Sequence, residues 1–404
     1  KPPSAPLPPP PLAWDPPVGG RLAHYRENWR KVTTDQWILG LVPEGMKLEF
    51  SSPPPLTRNP PPSCLPRDHT LRQAVLDQVQ VLLHKKVIER VQDKSSPGFY
   101  NRFFVVPKKE QGTWRSILDL SYLNKHFMKK HKFKMDTLEQ FRELLKTGEY
   151  MASLDLKDAF FHVKVHRGYR RYLRFSLEGV VYQFRVMPMG SSSSPRIFTR
   201  LIKVLKGWAQ SQGMKLHQYL DDWVVYGQQE QVRQQTLHLK RMLIALGFLI
   251  NEEKSELVPS QRITYLGCHF NLREGTVRLS DERWDRLQRV IREFNSNDTQ
   301  TARQWQSLLG VLASAEKLVD MERLHLRLVG TEKTEKSPFV TETQELEEGD
   351  YRNPLTTSAS TQMPRRTAGE AIGSRPGTNT EGAGHRRRRS CTSMSWNSWQ
   401  YGTH

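Results

Sequence analysis

HQYLDDWVVY, residues 217–226, decides the fold. Two adjacent carboxylates, Asp221 and Asp222, lie between short runs rich in aromatic and β-branched residues. That is the pattern of two strands joined by a tight turn. An Asp pair in a turn is usually ordinary, because Asp side chains bond their own backbone there. Asp155 changes the balance, since it closes another β-rich run upstream. Three carboxylates at the ends of neighbouring strands make a site for two divalent cations.

The rest of the chain surrounds that site. Its 404 residues suffice for two or three compact units. A hydrophobic content of 37% and a mean hydropathy of −0.65 are low for a wholly globular chain, so part of it is expected to be disordered. The formal charge of +19 calls for a polyanionic partner, with nucleic acid the default and an anionic membrane surface the rival. No apolar run approaches the roughly 18–20 residues that span a bilayer, which disfavours a membrane role. The chain begins at Lys1 without a signal-peptide pattern, as a piece of a longer product would. Cys64, Cys268 and Cys391 lie far apart, so a reducing, intracellular setting (cytoplasm or nucleus) is expected and no disulfide framework.

Residues 1–66 hold most of the prolines and predict an extended arm, interrupted by a small docking element around Leu22, Tyr25, Trp29, Trp37 and Leu41. Leu71, Val75, Val79, Leu82 and Leu83 recur at helical spacing up to about Lys86. Residues 103–106 and 114–120 predict a hairpin with Lys108 and Lys109 at its tip. Asp136, with Glu139 three residues on, predicts a helix cap. Residues 151–156 predict a strand, with a helical segment from about Asp158. Residues 172–175 and 180–184 pair across Glu178-Gly179, and a helix starts near Arg196 after the small-residue loop 187–195. A helix over 229–246 precedes strands at 248–250 and 263–270. Ser280 and Thr301-x-x-Gln304 cap two further helices, and periodicity vanishes after about Gly330. The tail 331–404 carries the run Arg386 to Arg389, a weak nuclear signal, and is read as disordered.

The basic hairpin, DLKDAFFHV (155–163), PMGSSSSP (188–195), YLDD (219–222), LGFLINEEKSEL (246–257) and ITYLGCHF (263–270) follow one another in the order of the conserved blocks of retroelement reverse transcriptases, which the chain resembles. GGRLAHYRENW (19–29) and the Trp after the aspartate pair look like the tyrosine-recombinase retrotransposons of the DIRS type.

The resemblance implies an α+β right-hand polymerase. Its fingers and a palm with an antiparallel sheet would span 67–279, and a helical thumb 280–330. It implies an RNA-directed DNA polymerase that works on an RNA template, a DNA or RNA primer, their hybrid and dNTPs, with no membrane partner and no protein partner specified. Two Mg²⁺ ions about 3.5–4 Å apart, or Mn²⁺ in their place, would be held by Asp155 and Asp221, the auxiliary Asp222 and the Leu156 carbonyl. Lys108 and Arg115 match the residues that grip the triphosphate, and Lys254 the lysine proposed to protonate pyrophosphate. Asp158, Ala159, Phe160 and Met189 would line the nucleotide pocket. Phe160 would exclude a 2′-hydroxyl, and Met189 departs from the polar or aromatic residue of many relatives. Gly190, Tyr219, Leu220, Tyr265, Leu266 and Gly267 match positions near template and primer. Arg283, Arg286, Arg289 and Arg292 would track phosphates from the thumb. Relatives continue into a ribonuclease H domain, for which 331–404 shows no pattern. The rival readings are a degenerate copy that only binds nucleic acid and, more distantly, a metal-dependent nuclease.

Overall fold

The computed structural model describes residues 14–61, 65–93, 95–108, 112–295 and 300–316. Cys64, Cys391, Lys109 and the tail 331–404 lie outside them.

A 3-10 turn at Arg21–Tyr25, α1 (Arg26–Val32) and α2 (Gln36–Glu44) cover the stretch from Leu22 to Leu41. Leu22, Trp29 and Ile38 are buried in the same apolar cluster as Phe198 and Phe248. The Trp29 indole donates to the Leu246 carbonyl at 3.0 Å. α3 (His69–His84) is capped by Asp68, whose carboxylate accepts the Leu71 N–H at 2.7 Å. After β1 (Ile88–Arg90), β2 (Arg102–Pro107) and β3 (Trp114–Asp119) make the basic hairpin, and Phe103 stacks on Phe175 at 4.4 Å between ring centroids.

α4 (Ser121–His126) leads to α5 (Leu138–Leu144). The cap of α5 is Thr137, in a reciprocal box with Gln140, one residue later than the acid pattern suggests. Asp136 is not available as a cap, being paired with Lys206. β4 (Tyr150–Asp155) is followed by 3-10 turns at Ala159–His162 and Arg167–Tyr172 where a helix was expected at the first. Tyr172 therefore precedes the hairpin of β5 (Arg174–Leu177) and β6 (Val180–Phe184). Glu178 and Gly179 both take positive φ in its two-residue turn. α6 (Ser194–Ser211), β7 (Leu216–Tyr219), β8 (Asp222–Gly227) and α7 (Gln229–Ala245) come next, with left-handed Gly247 just beyond α7.

Residues 248–250 are no strand. Only Ile250 bridges Leu156, through the Asn251 N–H to the Asp155 carbonyl and the Lys157 N–H to the Leu249 carbonyl, before the Lys254 and Ser255 N–H groups turn back onto the Asn251 carbonyl. β9 (Arg262–Tyr265) and β10 (Cys268–Asn271) split the expected 263–270 strand at Leu266-Gly267. β11 (Thr276–Leu279) completes the sheet, a strand too short and too charged to stand out. α8 (Asp281–Asn295) and α9 (Ala302–Glu316) bury Leu287, Ile291, Leu308 and Leu312 against each other, and the Thr301–Gln304 box caps α9.

The central sheet has the order β4-β8-β7, all antiparallel. Both its faces are covered. Trp223 and Val225 of β8 point into the main core with α6 and α7, while Val224 and Tyr226 point into a second cluster with Phe141, Tyr265 and Phe270. This alternation follows from the strand period of two. Backbone bonds Met151–Ser260 and Ser153–Glu256 close the outer edge of β4. Among the described residues no helix is long and apolar enough to cross a membrane.

Candidate active site

The β7–β8 hairpin turns through Leu220-Asp221, with Leu220 in the left-handed region at φ 53°. Such a backbone costs about 1 kcal/mol or more for a side-chain-bearing residue and persists only where surroundings impose it. The surroundings here are explicit. Buried Gln218 donates to the Leu220 carbonyl at 3.1 Å, and the Leu156 N–H donates to the Asp221 carbonyl at 3.1 Å. The second bond ties the turn to the end of β4. Strand register places Asp155 directly opposite Asp222.

The three carboxylates thus meet at one end of the sheet, and their electrostatics show it. Burial raises the Asp222 carboxyl to about 7, helped by the charges of Asp221 and Asp155 and by the hydrogen bond that protonated Asp222 donates to the Asp155 carboxylate. Burial and the Asp155 charge also raise Asp221. Lys254 opposes both shifts, which places its ammonium within electrostatic reach of the pair. Its loop is fastened to β4. The Asn251 N–H donates to the Asp155 carbonyl at 2.8 Å, and the Ser255 hydroxyl accepts the Asp155 N–H at 3.0 Å. Asn251 and Ser255 escape a sequence reading because NEEKSE looks like any charged turn.

Among the described residues no three His, Cys, Asp or Glu side chains already converge as a metal cage. The donor chemistry nevertheless fits divalent ions. The site offers only hard carboxylate oxygens, and without a cation their burial and mutual repulsion raise the proton affinity of Asp221 and Asp222.

The other predicted positions lie on several neighbouring elements. The Asp158 carboxylate pairs with Lys85 at 2.6 Å, from a left-handed backbone at φ 53°. Ala159 is buried, and the half-buried Phe160 ring lies 5.1 Å from Phe198, edge to face. Met189 is exposed and Gly190 is left-handed at φ 94°. Asn124, which the sequence reading passed over, holds their loop from both sides. Its amide donates to the Gly190 carbonyl at 2.7 Å and accepts the Ser192 N–H at 3.0 Å. Lys108 and Arg115 are exposed on the β2–β3 hairpin. Tyr219 and Leu220 are half-buried in the carboxylate turn.

Tyr265 is buried beneath the site. Its hydroxyl lies 3.0 Å from the His217 imidazole and donates to the Asp222 carbonyl at 3.3 Å. Burial pushes the His217 imidazole down to about 4, so it is neutral near pH 7. Leu266 and Gly267 form the next turn, and Arg283 reaches back from α8 to the Leu266 carbonyl at 3.1 Å. Arg283 is therefore occupied by the β9–β10 turn, whereas Arg286, Arg289 and Arg292 are exposed. Tyr265→Phe should destabilise the protein by about 1–2 kcal/mol, by stripping buried polar partners of the hydroxyl. Urea unfolding checks this, and unchanged stability would mean that the hydroxyl does not brace Asp222.

Residues 106–270 match the reverse transcriptase (RNA-dependent DNA polymerase) family. It is 30% identical over 173 residues to the Gag-Pol polyprotein of Bovine immunodeficiency virus (strain R29). It is likewise 30% identical over 169 residues to the transposon Tf2-3 polyprotein of Schizosaccharomyces pombe. Both matches cover 41% of this chain, and they span only 11% and 12% of those polyproteins. Among solved structures, the foamy viral protease-reverse transcriptase in complex with dsDNA is similar in fold. Its TM-score is 0.53 at 20% identity, covering 84% of this chain and 72% of that one.

Proposed function

We propose that the chain is the polymerase part of a retrotransposon product, an RNA-directed DNA polymerase that adds dNTPs to a primer 3′-hydroxyl. The observation that carries this reading is the meeting of Asp155, Asp221 and Asp222 at one end of the palm sheet inside the region matched to reverse transcriptases. Bound divalent ions would lower the pKa of the attacking hydroxyl and neutralise charge on the leaving pyrophosphate. Asp155 and Asp221 would hold them, with Asp222 and the Leu156 carbonyl in support. Lys254 would be positioned to give a proton to the pyrophosphate, and Lys108 and Arg115 to hold the triphosphate.

The DIRS-type assignment is supported by GGRLAHYRENW and by Trp223. Both motifs contribute fully buried indoles, Trp29 and Trp223, to the one core.

The reading is tested by primer extension on an RNA template with Mg²⁺ and dNTPs. Cation-dependent incorporation is expected. Retained hybrid binding with no incorporation would favour a degenerate copy that binds without catalysis. Phe160→Ala should relax discrimination against ribonucleotides by about 10- to 100-fold, comparing kcat/KM for a dNTP and its NTP. An unchanged ratio would reject Phe160 as a steric gate.

A further inference from the structure

Tyr122 is 61% exposed on α4, yet its ring is held rather than loose. It stacks on buried Phe99 at 6.3 Å with 11° between planes, and Phe127 meets it edge to face at 5.9 Å. His126, one helical turn on, places its ring 4.5 Å from that of Tyr122. The result is a pre-set aromatic surface open to solvent.

Its neighbours along the chain are basic. Residues 121–135 contain Lys125, Lys129, Lys130, Lys132 and Lys134, and neither Asp nor Glu. The nearby acids are engaged. Asp119 accepts the Ser121 N–H at 3.0 Å, and Glu49 binds Arg196 at 2.7 Å and His131 at 2.8 Å. An exposed ring among lysines suits a ligand that combines flat bases with phosphates, because each base presents a π face and each lysine a phosphate partner. Asn124, on the same short helix, clamps the Gly190–Ser192 loop. The platform is thus mechanically continuous with the loop of Gly190, which matches a position near template and primer.

We propose that Tyr122, with His126 beside it and the 125–134 lysines around it, is a stacking site for the unpaired 5′ extension of the template strand. The proposal rests on the polymerase reading for the strand's identity, but its test does not depend on catalysis. The full chain is titrated against two RNA–DNA duplexes, one blunt and one with a single-stranded 5′ RNA extension carrying 2-aminopurine. Tyr122→Ala should weaken binding of the extended duplex by about 5- to 150-fold, the range of base–aromatic stacking. It should leave the blunt duplex unchanged, and Tyr122→Trp should restore both affinity and fluorescence quenching. Equal affinity of the wild type for both duplexes would overturn the proposal and leave the aromatic surface to a protein partner. Equal losses on both duplexes in Tyr122→Ala would overturn it too. Extension-dependent binding by a wild type that incorporates no nucleotide would sustain the platform while removing the polymerase reading.

Discussion

Asp221→Asn should abolish primer extension, lowering kcat by about 10³-fold or more, as expected when a group that organises charge in phosphoryl transfer is removed. The same change should make the cation-free protein more stable, by about 1 kcal/mol. The two effects share one cause. Asp221 is held in a left-handed turn beside Asp155 and Asp222, and burial together with the Asp155 charge raises its proton affinity. An amide is the same size and carries no charge to repel its neighbours. Thermal unfolding in chelator, set beside extension in Mg²⁺, reads both signs. Adding Mg²⁺ should raise the wild-type Tm more than that of the variant, because a ligand that binds only the folded state stabilises it by mass action. Equal incorporation by the two proteins would end the assignment of Asp221 as a principal ligand. A variant no more stable than wild type in chelator would mean the carboxylates do not strain one another.

The second large effect concerns acid. His162 is fully buried against Phe248, and neither ring nitrogen has a partner among the described residues. Burial lowers its pKa to about 3, with Arg21 and Lys85 adding to the shift and Asp158 opposing it. The unfolded chain takes up a proton near pH 6.5, whereas the folded protein does not until far lower. Stability from this residue is therefore whole above pH 6.5 and is lost as pH falls toward 3. Asp222 works in the opposite sense, since its raised pKa makes the folded state the better proton acceptor between about 7 and its ordinary value. Comparing wild type with His162→Met cancels that contribution. Relative to pH 7, the variant should gain about 2 kcal/mol on wild type at pH 5 and about 3 kcal/mol at pH 4. Urea midpoints across that range supply the measurement. A difference that does not change with pH would show that the imidazole finds a partner or is reached by water.

Much of this was legible in the residues. The two strands around Asp221-Asp222 show alternation and a turn, and the 229–246 helix shows a 3.6 period closed by a glycine. Those signals are local, and the fold kept them. What the sequence could not display were features set by distant contacts. Thr137 caps α5 because Asp136 is taken by Lys206 from α6. Residues 248–250 meet the end of β4 only at the Ile250–Leu156 bridge, before the chain turns at Asn251. In the site, the carboxylates declare themselves by their block order, while Asn124, Asn251, Ser255 and the His217–Tyr265 pair do not. Each acts through a hydrogen bond to backbone far along the chain, and a single sequence carries no mark of that.

The bond from the Trp29 indole to the Leu246 carbonyl joins residues 217 positions apart. During synthesis at about 5–20 residues per second, α1 therefore waits roughly 10–40 s for its acceptor to be made. Throughout that interval Leu22, Trp29 and Ile38 have no finished core to enter, and the nascent chain presents them to whatever holds emerging polypeptides. Completion of this core is consequently a late event, gated by the arrival of the end of α7 at the ribosome exit rather than by the carboxylate hairpin itself.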